Sequence, residues 1–237
     1  MGLAERVPGP GPGAQRDGRR VRLSKPELPV VTSRSKRALD VIGAALGLVA
    51  LAPLYALIAA AIRLDSPGPV HFRQERAGLH GRPFLMNKFR TMRQGTSEAR
   101  HREYVSGLVN GDREQGHEGV YKLTDDDRVT RVGRLLRRTS LDELPQLINV
   151  LRGEMSLVGP RPAIAYEVEL YEDWQRARLD SRPGLTGLWQ VSGRNRLTYR
   201  RMCELDVRYI REWSLKTDLL ILLKTVPVVL TNSGAAH

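Results

Sequence analysis

Residues 41–62 read VIGAALGLVALAPLYALIAAAI, about 22 positions without a charge. At 1.5 Å per residue a helix of this length reaches across a hydrocarbon core. The buried core helix of a soluble protein is the weaker alternative, because such helices rarely stay apolar on every face for so long. Two features oppose a straight crossing. Arg34, Lys36 and Arg37 precede the stretch and Arg63, Arg73 and Arg76 follow it, so the preference of positive charge for the cytoplasm places both ends on one side. Pro53 sits near the middle, where it removes one helical hydrogen bond and crowds the carbonyl four residues back. Residues 35–64 are therefore expected to form two half-helices of about 12 residues, each ~18 Å long, kinked at Pro53, which enter one leaflet and return. A spanning helix merely bent by Pro53 is the competing reading.

Outward from this segment, residues 1–34 hold Gly9-Pro10-Gly11-Pro12-Gly13 and a basic run at Arg16, Arg19, Arg20 and Arg22. Apolar surface there is too sparse to offset the entropy of ordering, which predicts a disordered basic tail and no secretory signal. The net charge of +12 and pI near 10.4 predict a surface that collects anions, whether lipid headgroups, nucleic acid or diphosphates. A non-catalytic basic adaptor for nucleic acid or a membrane surface is the alternative from another class; for nucleic acid it is disfavoured, since aromatic residues for base stacking make up 5% of the chain and a long apolar insert has no use in a soluble nucleic-acid binder. A single cysteine, Cys203, excludes an intramolecular disulfide framework, and the five histidines show no close pairing of the zinc-binding kind.

On the C-terminal side, Ser66-Pro67-Gly68-Pro69 signals a turn. Residues 70–73 and 83–88 read as two strands of a hairpin around Gly78 and Gly81. Residues 94–127 are polar and aperiodic, apart from a candidate helix at 97–108, and end in Asp125-Asp126-Asp127, read as a solvated charge run. Helical periodicity returns over 129–138, 144–151, 165–179 and 198–213. Residues 215–230 mix an apolar face with Lys216, Asp218 and Lys224, which suits a helix in the membrane interface or a core helix. The expected fold is mostly α with a small β-hairpin: a re-entrant membrane helix joined to a compact cytosolic catalytic domain (65–231) with interfacial amphipathic helices, and a short tail at 232–237.

Chemistry concentrates in residues 131–162, RVGRLLRRTSLDELPQLINVLRGEMSLVGPRP. Asp142 and Glu143 stand where a helix begins, with Leu144, Leu147, Ile148 and Leu151 on one face. Capping alone could account for both acids: Ser140-x-x-Glu143 fits a capping box, and Asp142 as N-cap would put Pro145 in the first turn. The surroundings favour more than capping. Arg131, Arg134, Arg137 and Arg138 form a cationic approach to that helix start, a setting in which phosphate binds. A carboxylate beside bound diphosphate needs a divalent cation between them, and Mg²⁺ takes one or two carboxylates plus phosphate oxygens and water. Gly159-Pro160-Arg161-Pro162 would present Arg161 from a stiff loop. Lys88 and Arg90 add two cations after the second strand, facing the same phosphates or water.

The order of KFRTM (88–92), RRTSLDELPQ (137–146), NVLRGEMSLVGPRP (149–162), RPGLTGLWQVSGR (182–194) and the region from Leu205-Asp206 to Trp213 resembles the bacterial sugar transferases, the monotopic polyprenyl-phosphate phosphoglycosyl transferases. The likeness runs from about Ser35 to Leu230, and several long motifs in one order are far more specific than any one of them. The resemblance implies transfer of a sugar 1-phosphate from a nucleotide-diphosphate sugar, usually a UDP-sugar, to polyprenyl (undecaprenyl) phosphate at the cytosolic face of the bacterial inner membrane, as the first membrane step of exopolysaccharide or glycoconjugate synthesis. It further implies Asp142 as the nucleophile, Glu143 as the Mg²⁺ ligand, and Lys88, Arg137 and Arg161 as phosphate-binding cations. Its partners would be the donor, the polyprenyl phosphate and membrane lipid, with no nucleic acid; oligomeric state is not assigned. Ala52 stands before Pro53 where many relatives carry Ser, removing a side chain that could contribute to the kink. A membrane nucleotide-sugar hydrolase using the same acids is the remaining enzymatic alternative.

Overall fold

The computed structural model describes residues 33–93, Gly107 and 128–230. The expected tails at 1–34 and 232–237, the acidic run at 125–127 and, apart from Gly107, the candidate helix at 97–108 lie essentially outside them. Helix α1 (Arg34–Ala50) is capped by Ser33, whose Oγ accepts the Lys36 N–H at 3.1 Å. The chain breaks at Leu51 and restarts as α2 (Ala52–Asp65), with Pro53 in the first turn, where its missing N–H leaves nothing unpaired. The break falls two residues ahead of Pro53, because a proline is tolerated at a helix start and not in its interior. The helices are longer than expected, 17 and 14 residues, and are bent by 62°. Among the described residues no single helix is long and apolar enough to cross a membrane, while this bent pair reaches that length and composition together.

The pair buries one side and exposes the other. Ala44 packs with Leu147, Val150 and Leu157, and Ile58 and Ile62 pack with Phe89 and Leu136. Ile42, Leu46, Val49 and Leu57 remain 59–76% exposed, a contiguous kind of apolar face that soluble monomers seldom leave to water.

Strands β1 (His71–Ala77) and β2 (Pro83–Phe89) pair antiparallel, with Arg73 opposite Asn87 and Phe72 opposite Lys88. The hairpin is as expected, with its first strand running on to Ala77. Helix α3 (Arg131–Thr139) is followed by the 3-10 turn Leu141–Glu143 and by α4 (Gln146–Arg152). Asn149 of α4 binds the hairpin directly: its Oδ1 accepts the Asn87 N–H at 2.9 Å and its Nδ2 donates to Leu85 O at 2.8 Å. Gln146 and Asn149 are buried along with Leu147 and Val150, so α4 is enclosed on more than the one leucine face the sequence marks.

Two three-residue strands, β3 (Ser156–Val158) and β4 (Gly184–Thr186), pair in parallel. Three residues are too few to show an alternation, and sequence periodicity did not anticipate them. The helix expected over 165–179 is interrupted: α5 (Ala165–Glu169) stops and a 3-10 turn, Gln175–Asp180, follows. The Gln175 side chain accepts the Glu172 N–H at 2.7 Å, the kind of local side-chain bond that competes with helix propagation. Helices α6 (Tyr199–Arg211), capped by Thr198, and α7 (Leu215–Leu230) close the fold. In α7 Asp218 and Ile221 are buried and Leu219, Leu220, Leu223 and Val226 are exposed.

Candidate active site

Neither capping arrangement of the acids is realised. Ser140 ends α3 in the left-handed region (φ 57°) and makes no side-chain cap, and α4 begins only at Gln146 with Pro145 at its N-cap position. Asp142 and Glu143 thus occupy a separate 3-10 turn between two helices, a placement that helix capping does not explain. A non-glycine residue held left-handed stores about 1–3 kcal/mol of strain, and such residues concentrate at functional sites.

Asp142 is 3% exposed. Glu143 lines a shallow cleft shared with Arg76, Lys88, Gln146 and Arg161. Lys88 Nζ lies 3.5 Å from Glu143 Oε1, and Arg161 reaches the same oxygen at 3.9 Å. Lys88 comes from β2 and Arg161 from the loop after β3, so the carboxylates, the hairpin and the Gly159–Pro162 loop meet at one point. The loop can approach because Gly184 has no side chain: a Cβ there would lie 2.1 Å from the Gly159 nitrogen. Gly184 N–H donates to Pro160 O at 2.7 Å, and Arg76 donates to Pro162 O at 3.0 Å.

Of the residues singled out from sequence, Lys88, Asp142, Glu143 and Arg161 come together here. Arg137 is half-buried in the last turn of α3, its carbonyl accepting the Ser140 N–H at 3.4 Å. Arg90 belongs elsewhere: it is buried and donates to Pro67 O and Ser66 O, pinning the turn that leaves α2. Two further cations join the site, Arg76 and Arg194. Arg194 donates to Ser140 Oγ at 3.4 Å, and burial lowers its pKa while Glu143 raises it and Arg161 lowers it. Gly193 (φ 140°) and Arg194 (φ 49°) form a tight turn; the Ser-Gly-Arg step within 182–194 was the available signal. Nothing in the strand pattern distinguished Arg76 from a solvated strand residue.

Two adjacent carboxylates ringed by cations fit a Mg²⁺ ion that arrives with a diphosphate and keeps its waters. Among the described residues no cluster of three or more His, Cys, Asp or Glu could hold a metal ion by itself.

Burial pushes Lys88 down to about 8, against the pull of Glu143 and Asp142, and with help from Arg161 and Arg76. The sign follows directly: Lys88 is charged below this value and loses its proton above it. If its charge holds the donor diphosphate, kcat/KM declines as pH rises through about 8, and Lys88→Arg moves that limb to higher pH. A pH profile of kcat/KM, which reports the free enzyme, checks this; an unchanged limb in Lys88→Arg would assign it to another group.

The bacterial sugar transferase family matches residues 31–232. The chain is 44% identical over 201 residues to the exopolysaccharide production protein ExoY of Sinorhizobium fredii, covering 85% of this chain and 88% of that protein. It is 46% identical over 214 residues to the UDP-glucose:undecaprenyl-phosphate glucose-1-phosphate transferase of Caulobacter vibrioides, covering 87% and 73%. With the undecaprenyl-phosphate galactose phosphotransferase of Salmonella typhimurium the identity is 42% over 202 residues, 84% of this chain and 41% of that larger one.

Proposed function

Because the chain belongs to the bacterial sugar transferase family, and so is a sugar-phosphate transferase, we propose that it transfers a sugar 1-phosphate from a UDP-sugar to undecaprenyl phosphate, an early membrane step of exopolysaccharide or glycoconjugate synthesis. The observation that carries this reading is the placement of Glu143 between Lys88 and Arg161, beside the buried Asp142 and on a turn whose Leu141 packs with Ile58 and Ile62 of the bent helix pair. Lys88, Arg76, Arg161 and Arg194 bind the diphosphate and offset charge on the phosphoryl group in flight, the main requirement of this chemistry. An Asp142 carboxylate oxygen attacks the β-phosphorus, the bond to the bridging oxygen breaks, and UMP leaves with that electron pair. An oxygen of undecaprenyl phosphate then attacks the same phosphorus, and the aspartyl carboxylate is released. Glu143, with Asp142 beside it, would hold Mg²⁺, which when bound neutralises the diphosphate and allows a carboxylate to approach it. Helices α1 and α2 would dip into the cytosolic leaflet of the inner membrane as a re-entrant pair, with the exposed leucines of α7 at the interface, so that a lipid phosphate reaches the cleft at headgroup level.

The test is UMP release from a panel of UDP-sugars by the detergent-solubilised protein, with and without undecaprenyl phosphate and Mg²⁺. Sustained release confined to one or two sugars and requiring both additions, with no more than a single turnover when the lipid is left out, is the expected result, and it identifies the donor. Sustained turnover without the lipid would indicate a hydrolase instead.

A further inference from the structure

Arg161 is gripped from behind as well as from the cleft. Arg178, on the 3-10 turn Gln175–Asp180, is 4% exposed. Its Nε donates to Asp206 Oδ2 at 3.0 Å; one terminal nitrogen donates to Glu167 Oε1 at 3.3 Å and to the Tyr171 hydroxyl; the other donates to the main-chain carbonyl of Arg161 at 3.5 Å. The Tyr171 and Tyr199 hydroxyls donate to Glu167 at 2.9 and 3.1 Å. Asp206, on α6, is fully buried. Burial pushes its carboxyl up to about 7, while Arg178 and the backbone N–H of Arg161 pull it back, although Oδ1 falls short of a full hydrogen bond among the described residues.

A cluster of this kind is a poor way to hold a core together, since apolar replacements of buried ion networks are often neutral or stabilising. Its geometry suggests another use. The Gly159–Pro162 loop contains two prolines and so lacks two backbone donors. It is held instead by bonds to its remaining groups: Gly159 N–H to Thr186 O, Pro160 O from Gly184, Pro162 O from Arg76, Arg161 O from Arg178, and the Arg161 N–H toward Asp206. The grip on the functional residue itself comes from the buried cluster.

We propose that Arg178 and Asp206 are positioning residues, which clamp the Arg161 main chain and thereby set where its guanidinium meets Glu143 and the donor diphosphate. The inference rests on the reading of Arg161 as a diphosphate-binding cation. Asp206 aligns Arg178, Arg178 holds the carbonyl, and displacement of the loop by a fraction of an ångström is felt in the transition state, because misplacement of about 1 Å can lower rates by 10²-fold.

The experiment is a double-mutant cycle on UMP release, with thermal melting of each variant: Asp206→Asn, Arg161→Ala and the pair. Asp206→Asn is expected to lower kcat/KM roughly tenfold in the folded protein, and to add less than twofold in the Arg161→Ala background, because the residue it acts through is already gone. Losses that multiply, or wild-type kinetics in Asp206→Asn, overturn the proposal. Should Asp206→Asn not fold, Arg178→Lys in both backgrounds makes the same comparison. Full activity in Arg161→Ala has a different meaning: the phosphate-binding role of Arg161 is then wrong, and the positioning role falls with it.

Discussion

Asp142→Asn is expected to lower phosphosugar transfer by roughly 10³-fold or more, because on the proposed route it removes the nucleophile on which both half-reactions depend. Asn matches Asp in size, so a side chain 3% exposed between two helices should be accommodated and the fold retained. What disappears is the negative oxygen that the proposed route uses to attack phosphorus. The wild-type enzyme, given donor and Mg²⁺ without lipid, should release about one UMP per active site and retain the sugar phosphate on the protein, as a ping-pong scheme requires; Asp142→Asn should show neither burst nor adduct by mass spectrometry. Glu143→Gln should behave differently, keeping a small burst with a rate reduced by roughly 10²-fold, since it removes charge that aligns Lys88 and Arg161 without removing the attacking group. A variant of Asp142 within tenfold of wild type would sink the covalent route and favour direct attack by the lipid phosphate.

The break in the apolar segment, the hairpin and four of the residues that meet at the candidate site could be picked out from sequence because each rests on a local signal. Proline forbids a helix interior, Gly-rich turns separate alternating strands, and Lys88, Asp142, Glu143 and Arg161 sit in contiguous motifs. What could not be read depends on contacts distant in sequence. Ser140-x-x-Glu143 looks like a capping box, yet α3 ends at Ser140, whose side chain makes no cap, and the acids fall in a separate 3-10 turn. The flanking-charge argument for re-entry also changes in three dimensions. Lys36 and Arg76 are buried, and Arg37 donates to Val150 O and Leu151 O at the C-terminal end of α4, where a cation complements the helix dipole. Arg34, Arg63 and Arg73 remain exposed, so each end of the bent pair still carries positive charge toward solvent, but with half the count. Local sequence shows that a residue is charged, whereas partners distant in the chain, such as Asp218 for Lys36 or Pro162 for Arg76, decide whether that charge faces water.

Asp218→Asn should destabilise the protein by roughly 3–5 kcal/mol, because it leaves a buried Lys36 without its counter-charge. Lys36 Nζ lies 2.8 Å from Asp218 Oδ2 and also donates to Val158 O at 3.0 Å and to the Tyr209 hydroxyl at 3.1 Å. Asp218 in turn accepts from Tyr209 at 2.7 Å and from Trp213 at 3.2 Å. The side chains are 3% and 0% exposed, so water offers no replacement partner. This cluster joins the base of α1 to β3, α6 and α7, a polar tie beside the apolar packing of Ala44 and of Ile58 and Ile62. At roughly 2–4 °C per kcal/mol for a domain of this size, Tm in detergent should fall by about 6–20 °C. Replacing both charges, Lys36→Met with Asp218→Leu, should recover much of the loss, since the penalty comes from the orphaned charge more than from the missing attraction. A double variant as unstable as Asp218→Asn would show instead that the hydrogen bonds to Tyr209, Trp213 and Val158 hold α1 in place, and that the ion pair contributes little beyond them.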